Sequence, residues 1–192
     1  MSKNSHFKIY KPYGYLSQFM HNHKTRRNKK LLGELGEFPE NIMAIGRLDE
    51  DSEGLLFLTT SGKMSELVRR KNVEKEYYVQ LDGNITEEAI EQLKNGVPIG
   101  INGKKYLTAP CTAKILVPAP KFPERSKKIR DERHGPTSWA SITLTEGKFR
   151  QVKKMTAAVG YPTLRLVRYR IGNEFLAEML PGEIIEVEKY DL

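Results

Sequence analysis

Between Gly46 and Glu53 the chain packs four carboxylates and one arginine into eight residues, GRLDEDSE, and then turns apolar in GLLFLTT. Two chemistries suit so dense a group of acids. One is coordination of a hard cation, and the other is acid–base or nucleophilic work by a single carboxylate. Counting separates them. A calcium loop of the EF-hand type needs oxygen ligands at positions 1, 3 and 5, glycine at 6 and a bidentate Glu at 12. Asp49, Asp51, Glu53 and Gly54 meet the first four, but position 12 is Thr60. That residue ends LLFLTT, which reads as a strand where the motif requires a helix. A plain solvated turn is the other alternative. Against it, NIMAIG before and GLLFLT after both read as buried strands, which pin the turn as a catalytic group requires.

Other chemical signals are sparse. The HNH triplet at 21–23 resembles a metal-nuclease fragment, but no second His/Asp cluster completes a metal site. No phosphate loop, dinucleotide fingerprint or serine elbow is present. The expectation is therefore an acid that works with no metal and no cofactor.

The elements around the turn define the fold class. HFKIY reads as a strand running into KPYGYLSQF, whose Pro12 and Gly14 mark a turn. Strands are expected at about 42–46 and 54–60, then a short helix in SGKMSELVRR capped by Ser61. KEYYVQLD alternates as a strand. TEEAIEQLKNG is a helix capped by Thr86, with Glu87 and Glu88 at its positive end and Gly96 as its stop. KKYLTAPCTAKILV is extended. PAPKFPERSKKIRDERHGPTS, with four prolines, is a long surface loop, a kind usually functional in compact domains. WASITLTEG, TLRLVRYRIG and EIIEVEKY are strands, and FRQVKKMTAAVG is a helix. About eight strands and three helices give an α+β fold: a mixed, mostly antiparallel sheet flanked by a few helices and long loops.

The chain has 192 residues, which suits one compact domain or two intimate subdomains, and no linker or internal repeat is visible. No apolar run is long enough for a membrane span or signal peptide, so a cytoplasmic, soluble protein is expected. Cys111 is the only cysteine and reads as a small core residue. A monomer is expected, since no exposed apolar interface is evident.

The net charge of +8 is segregated. Segments 24–30, 121–133 and 147–170 hold 18 of the 32 Lys and Arg but only three acids, Glu124, Asp131 and Glu132. Brought together, they would form a polyanion-binding face. The helix FRQVKKMTAAVG sharpens that reading. Val152, Met155, Thr156 and Val159 share one side, and Arg150, Lys153, Lys154 and Ala157 share the other, with no acid at i±4 within the helix to pair with the cations. KEYYV places Tyr77 and Tyr78 on opposite faces of a strand, so one can stack on a nucleobase at a basic groove.

An acid in a turn, a basic helix and a stacking aromatic together bring a resemblance into view. GRLDEDSEGLLFLTTSG is similar to the signature of the RsuA-type pseudouridine synthases, in which the Asp of GRLD is catalytic; here that is Asp49. KPYGYLSQF resembles the family's opening strand, KEYYV its second motif with Tyr77 as the aromatic, and EGKFRQVKKMTAAVG with LRLVRYRIG its third. The long Pro/Arg loop followed by PTSWASITL looks closest to the RluE branch, which modifies large-subunit ribosomal RNA. The resemblance implies a pseudouridine synthase fold over residues 1–192 as a single catalytic domain. The first motif begins near residue 7, so the S4-like RNA-binding domain that many relatives carry is not expected.

The resemblance also implies a reaction. A uridine in ribosomal RNA is extruded from its stack, its base is detached, turned and rejoined through carbon, and pseudouridine results. Asp49 would act as nucleophile or base at the ribose, Tyr77 would stack on the flipped base, and Lys153 would keep the carboxylate ionised. Many relatives carry Arg at that last position, and Lys offers a point charge instead of a fork. Arg47 is expected at the rim, with Arg150, Gln151 and Arg168 as further RNA contacts. The competing expectation is a non-catalytic RNA-binding ribosome-assembly factor on the same fold. It is disfavoured because a pure binder gains nothing from an acid facing phosphates.

Overall fold

The computed structural model describes residues 4–21, 28–70 and 73–192. The HNH triplet and the basic run at 24–30 fall largely on residues 22–27, outside the described residues. In chain order the elements are β1 (His6–Lys11), β2 (Tyr15–Leu16), β3 (Lys30–Leu31), β4 (Met43–Ile45), β5 (Glu53–Thr59), α1 (Gly62–Arg69), β6 (Lys75–Asp82), α2 (Glu87–Asn95), β7 (Pro98–Ile101), β8 (Lys104–Leu107), β9 (Thr112–Ile115), β10 (Thr137–Leu144), α3 (Gln151–Ala158), β11 (Thr163–Ile171), β12 (Glu174–Phe175) and β13 (Ile184–Val187).

The eight expected strands are all present. The extended stretch from 104 to 117 divides into β8 and β9, with Pro110 in the break. β7 and the two-residue strands β2, β3 and β12 are additional. They are short pieces whose pairing is tertiary, so no periodicity announces them. The helix caps follow the sequence. Ser61 Oγ accepts from Met64 N at 3.3 Å, Thr86 Oγ1 accepts from Ala89 N at 3.3 Å, and Gly96 ends α2 at φ 90°.

The chain forms two compact units. The first comprises residues 1–73, 123–127 and 168–192. In it β1 pairs antiparallel with both β13 and β5, β4 pairs antiparallel with β5, and β11 flanks β5. Every residue of β5 is buried, which is why EGLLFLT reads as a continuous apolar run instead of an alternating one. Phe7, Ile9, Leu32, Leu56 and Leu58 form the core on one side. Tyr190 stacks on Phe57 with centroids 4.1 Å apart, and its hydroxyl lies 2.6 Å from Leu58 O and 3.1 Å from Phe7 O.

The second unit comprises residues 74–122 and 128–167. β10 pairs antiparallel with β6 and β9, and β7 with β8. α2 packs on β9 and α3 on β7 around Val79, Leu81, Ile90, Leu93, Ile142 and Met155. Cys111 is half-buried and donates to Leu93 O at 3.2 Å; burial pushes its thiol up to about 11. The proline-rich stretch is a loop, as expected, closed by a short turn at Glu132–His134. Its part in this unit is anchored: Phe122 lies 5.7 Å from Trp139 and 6.1 Å from Tyr78, and Arg130 pairs with Asp82. No helix among the described residues is long and apolar enough to cross a membrane.

Candidate active site

The acidic turn links β4 to β5, and its backbone is held from below. Gly46 adopts φ 72°, a left-handed conformation open to glycine, and starts the turn directly after β4. Ser17 then grips Leu48 twice: its Oγ accepts from Leu48 N at 2.9 Å and donates to Leu48 O at 2.8 Å. The Leu48 side chain is itself buried. Asp49 O accepts from Ser52 N at 3.1 Å, and Glu50 O accepts from Gly14 N at 2.8 Å. The residues on either side of Asp49 are therefore fixed by KPYGYLS, the segment after β1. Asp49 itself is half-buried, while Arg47 is exposed. Ser52 and Glu53 are buried and belong to the turn's foundation.

Two buried cations underlie the acids. Lys11 is fully buried, and its Nζ donates to Pro12 O at 2.9 Å and Tyr15 O at 2.7 Å. Burial pushes the ammonium down to about 7; Glu53, Asp51 and Asp49 pull it back up, and Arg168 opposes them. Arg168 is 5% exposed. Its Nε donates to Leu55 O at 2.7 Å, its Nη1 reaches Arg47 O at 3.5 Å, and its Nη2 is buried with no hydrogen-bond partner among the described residues. Arg168 also runs so close to Gly54 (φ 108°) that a Cβ there would collide with its backbone. The expected RNA contact at 168 is thus, in this geometry, a strut beneath the turn.

Sequence reasoning missed Lys11 and Ser17. For Lys11 a signal existed: β1 is HFKIYK, and Lys11 shares a face with Ile9, which is fully buried. A lysine at a core position of a strand demands anionic partners. For Ser17 no local pattern distinguishes a clamp from an ordinary loop serine.

The second unit carries the other expected residues. Tyr77 is half-buried in β6 and packs against the unit's core, on the same strand face as Val79 and Leu81. Tyr78 faces the other way, against Phe122. Lys153 is half-exposed on α3. Its neighbour Lys154 is already engaged: Nζ donates to Gly100 O at 2.7 Å and lies 5.2 Å from the Phe149 ring. Lys154, one of the three cations expected on that face, therefore has a backbone partner. Arg150 caps α3 in the left-handed region at φ 53°. Gln151 is buried: Oε1 accepts from Lys148 N at 2.9 Å and Nε2 donates to Glu146 at 2.5 Å. Glu146 also accepts from Tyr106 OH and Ala109 N. Burial alone would raise the Glu146 carboxyl, but those hydrogen bonds outweigh it and the group is held below its usual range.

The structure thus brings Arg47, Asp49 and Arg168 together in the first unit, with Lys11 and Ser17. Tyr77, Arg150, Gln151 and Lys153 lie in the second. Among the described residues no group of three or more His, Cys, Asp or Glu could hold a metal ion. Thr60, at position 12 of the notional calcium loop, follows the end of β5, and its Oγ1 accepts from Ser5 N at 3.0 Å. What the turn offers chemically is a carboxylate on a rigid backbone, with positive charge buried behind it. That suits attack on, or proton removal from, an electrophilic sugar.

The chain is similar to known proteins of one kind. The RNA pseudouridylate synthase family model matches residues 5–158. A ribosomal large subunit pseudouridine synthase E of Xanthomonas axonopodis pv. citri is 41% identical over 173 residues, covering 89% of this chain and 87% of the relative. One from Vibrio parahaemolyticus is 39% identical, covering 93% of this chain and 71% of the relative. The Escherichia coli ribosomal small subunit pseudouridine synthase A is 33% identical over 74% of this chain and 54% of its own length. A crystal structure of a pseudouridylate synthase superposes with a TM-score of 0.75 over 97% of this chain and 71% of that one, at 24% identity, and shares the fold.

Proposed function

The chain belongs to the RNA pseudouridylate synthase family, and from that premise we propose that it converts one uridine of large-subunit ribosomal RNA to pseudouridine, with Asp49 as the catalytic carboxylate. It is an isomerase acting on RNA. The large subunit is favoured because the relatives at about 40% identity over most of the chain carry that substrate in their names. A ribosomal RNA substrate goes with a cytoplasmic location.

The observation that carries the reading is the held turn: Asp49 sits between two residues whose backbones are fixed from KPYGYLS, with Lys11 and Arg168 buried behind it. The isomerisation breaks the bond from uracil N1 to ribose C1′ and makes one from C5 to C1′. The C5 hydrogen leaves as a proton, and N1 gains one. The net reaction needs no oxidant and no co-substrate. Asp49 acts at the ribose, as nucleophile or base. Tyr77 is assigned to stacking on the extruded base, Lys153 to positive charge for the anionic substrate, and Arg47 and Arg150 to phosphate contacts. Gln151 and Arg168, both buried, act on RNA only through the backbone they hold.

Tritium release from large-subunit RNA labelled at uridine C5 tests the proposal. Release by the wild type and none by Asp49→Asn is the expected result. Tight RNA binding without release from any ribosomal RNA would favour a non-catalytic assembly factor.

A further inference from the structure

The turn before α3 presents an aromatic ring in an unusual way. Phe149 is 67% exposed. A single exposed apolar side chain is ordinary on a protein surface, and what sets this one apart is its seat. Below it, Gln151 is 4% exposed and closes the turn on both sides. Gln151 N donates to Lys148 O at 3.1 Å, and Gln151 Oε1 accepts from Lys148 N at 2.9 Å. Gln151 is in turn fixed by Glu146, which is held by Tyr106 and Ala109 N. The two residues between Lys148 and Gln151 are therefore Phe149 and Arg150, and Arg150 takes the left-handed conformation at φ 53°. A non-glycine residue stays there only where its surroundings over-determine it. A hydrogen-bonded network built on buried Gln151 is thus used to hold a phenyl ring out in solvent.

The ring's surroundings identify its ligand. Lys154 Nζ lies 5.2 Å from the ring centroid, Lys148 Nζ lies over the neighbouring Tyr106 ring at 4.8 Å, and Arg150 and Lys153 are within four residues of Phe149 in the chain. A rigid exposed aromatic amid cations has the chemistry of a platform for an unpaired nucleobase, with positive charge for the phosphates beside it. An apolar protein partner would not call for the cations, and a purely ionic one would not call for the ring.

We propose that the Lys148–Gln151 turn is an RNA-stacking element, in which Phe149 stacks on an unpaired base of the substrate and Arg150 contacts an adjoining phosphate. This rests on the proposed RNA substrate and adds a binding element to it. It also gives the pair of buried Gln151 and half-buried Glu146 a purpose, as the strut that keeps the ring extended.

The test compares wild type with Phe149→Ala, Phe149→Leu and Phe149→Tyr by filter binding to a large-subunit ribosomal RNA transcript across a salt series. Phe149 is exposed, so the variants should fold, and thermal unfolding checks that. Loss of one stacked base should weaken binding about 5- to 100-fold in the Ala and Leu variants and hardly at all in the Tyr variant. The salt dependence should keep its slope, because no charge is removed. Unchanged binding by Phe149→Ala, or full retention by Phe149→Leu, overturns the proposal. Tritium release is measured in parallel with the same RNA. Release by wild type together with unaltered Phe149→Ala binding sinks the stacking element alone. Weakened Phe149→Ala binding with no release by wild type supports the element while sinking the isomerase reading.

Discussion

Ser17 and Leu48, 31 residues apart in sequence, are joined by two hydrogen bonds through one hydroxyl, 2.9 Å from the Leu48 N–H and 2.8 Å to its carbonyl. The residue so held stands immediately before Asp49. Ser17→Ala leaves both backbone groups of a buried leucine without this partner, at a cost of about 1–3 kcal/mol. Turnover should fall while RNA affinity holds, since the carboxylate loses its aim but the binding surface is untouched. Ser17→Thr, which keeps the hydroxyl, should recover most of both. Urea unfolding and single-turnover kinetics read the two effects separately.

Asp49→Asn should abolish isomerisation with little change in stability or RNA binding. The residue is half-buried, and its backbone bonds to Ser52 survive the change. Circular dichroism, filter binding and tritium release on the same preparation check all three. Residual activity near wild type would transfer the catalytic role elsewhere.

Lys11 makes stability depend on pH in a stated direction. Its folded-state pKa of about 7 lies below the usual lysine value of 10.5. Between those two values the unfolded chain binds more protons than the folded one, so stability rises with pH. Below about 7 both states are charged and the burial penalty is felt in full. The slope above pH 7 should approach about 1.4 kcal/mol per pH unit at most. Lys11→Met should remove that slope while lowering activity, because the acids lose a cation behind them. Urea midpoints from pH 6 to 9.5 measure it.

Gly54→Ala should destabilise the first unit by more than about 1 kcal/mol. At φ 108° an added methyl is strained whatever the space, and here it also meets the Arg168 backbone. Arg168 could yield only by shifting its bonds to Leu55 and Arg47. A thermal shift beside that of Gly62→Ala, where nothing crowds the Cβ position, isolates the effect.

Gln151→Ala should cost about 1–3 kcal/mol in stability, because Lys148 N and Glu146 each lose a buried partner. A residue that only touched RNA would show no such loss in the free protein.

The sequence made the secondary structure legible wherever a single strong pattern ruled it. The capped α2, the alternation of β6 and the apolar run of β5 are where the residues place them. The dense acids of the turn and the two strands around it were equally plain. What could not be read was side-chain engagement. Lys154 reads as available and is tied to Gly100 O, and nothing in the local pattern marks Gln151 and Arg168 as buried. Lys29, within a run that reads as a polyanion-binding segment, pairs with Glu50 at 2.6 Å. Each of these contacts links residues at least 21 positions apart or depends on burial, and no local periodicity carries that information. Lys11 is the instructive omission, because its position on β1 opposite solvent was deducible from the alternation alone.

The way the two units divide the chain sets an order for synthesis on the ribosome. The second unit draws on residues 74–122 and 128–167, a nearly unbroken stretch. The first takes β1 from the beginning and β13 and Tyr190 from near the end. Translation adds about 5–20 residues per second. During that interval β1 and β5 can pair, but the edge that β13 covers stays open and Phe57 lacks the tyrosine that stacks on it. The unit that starts first is thus finished last: until residues 184–190 are made, β1 has no β13 to pair with and Phe57 has no Tyr190 to stack on it.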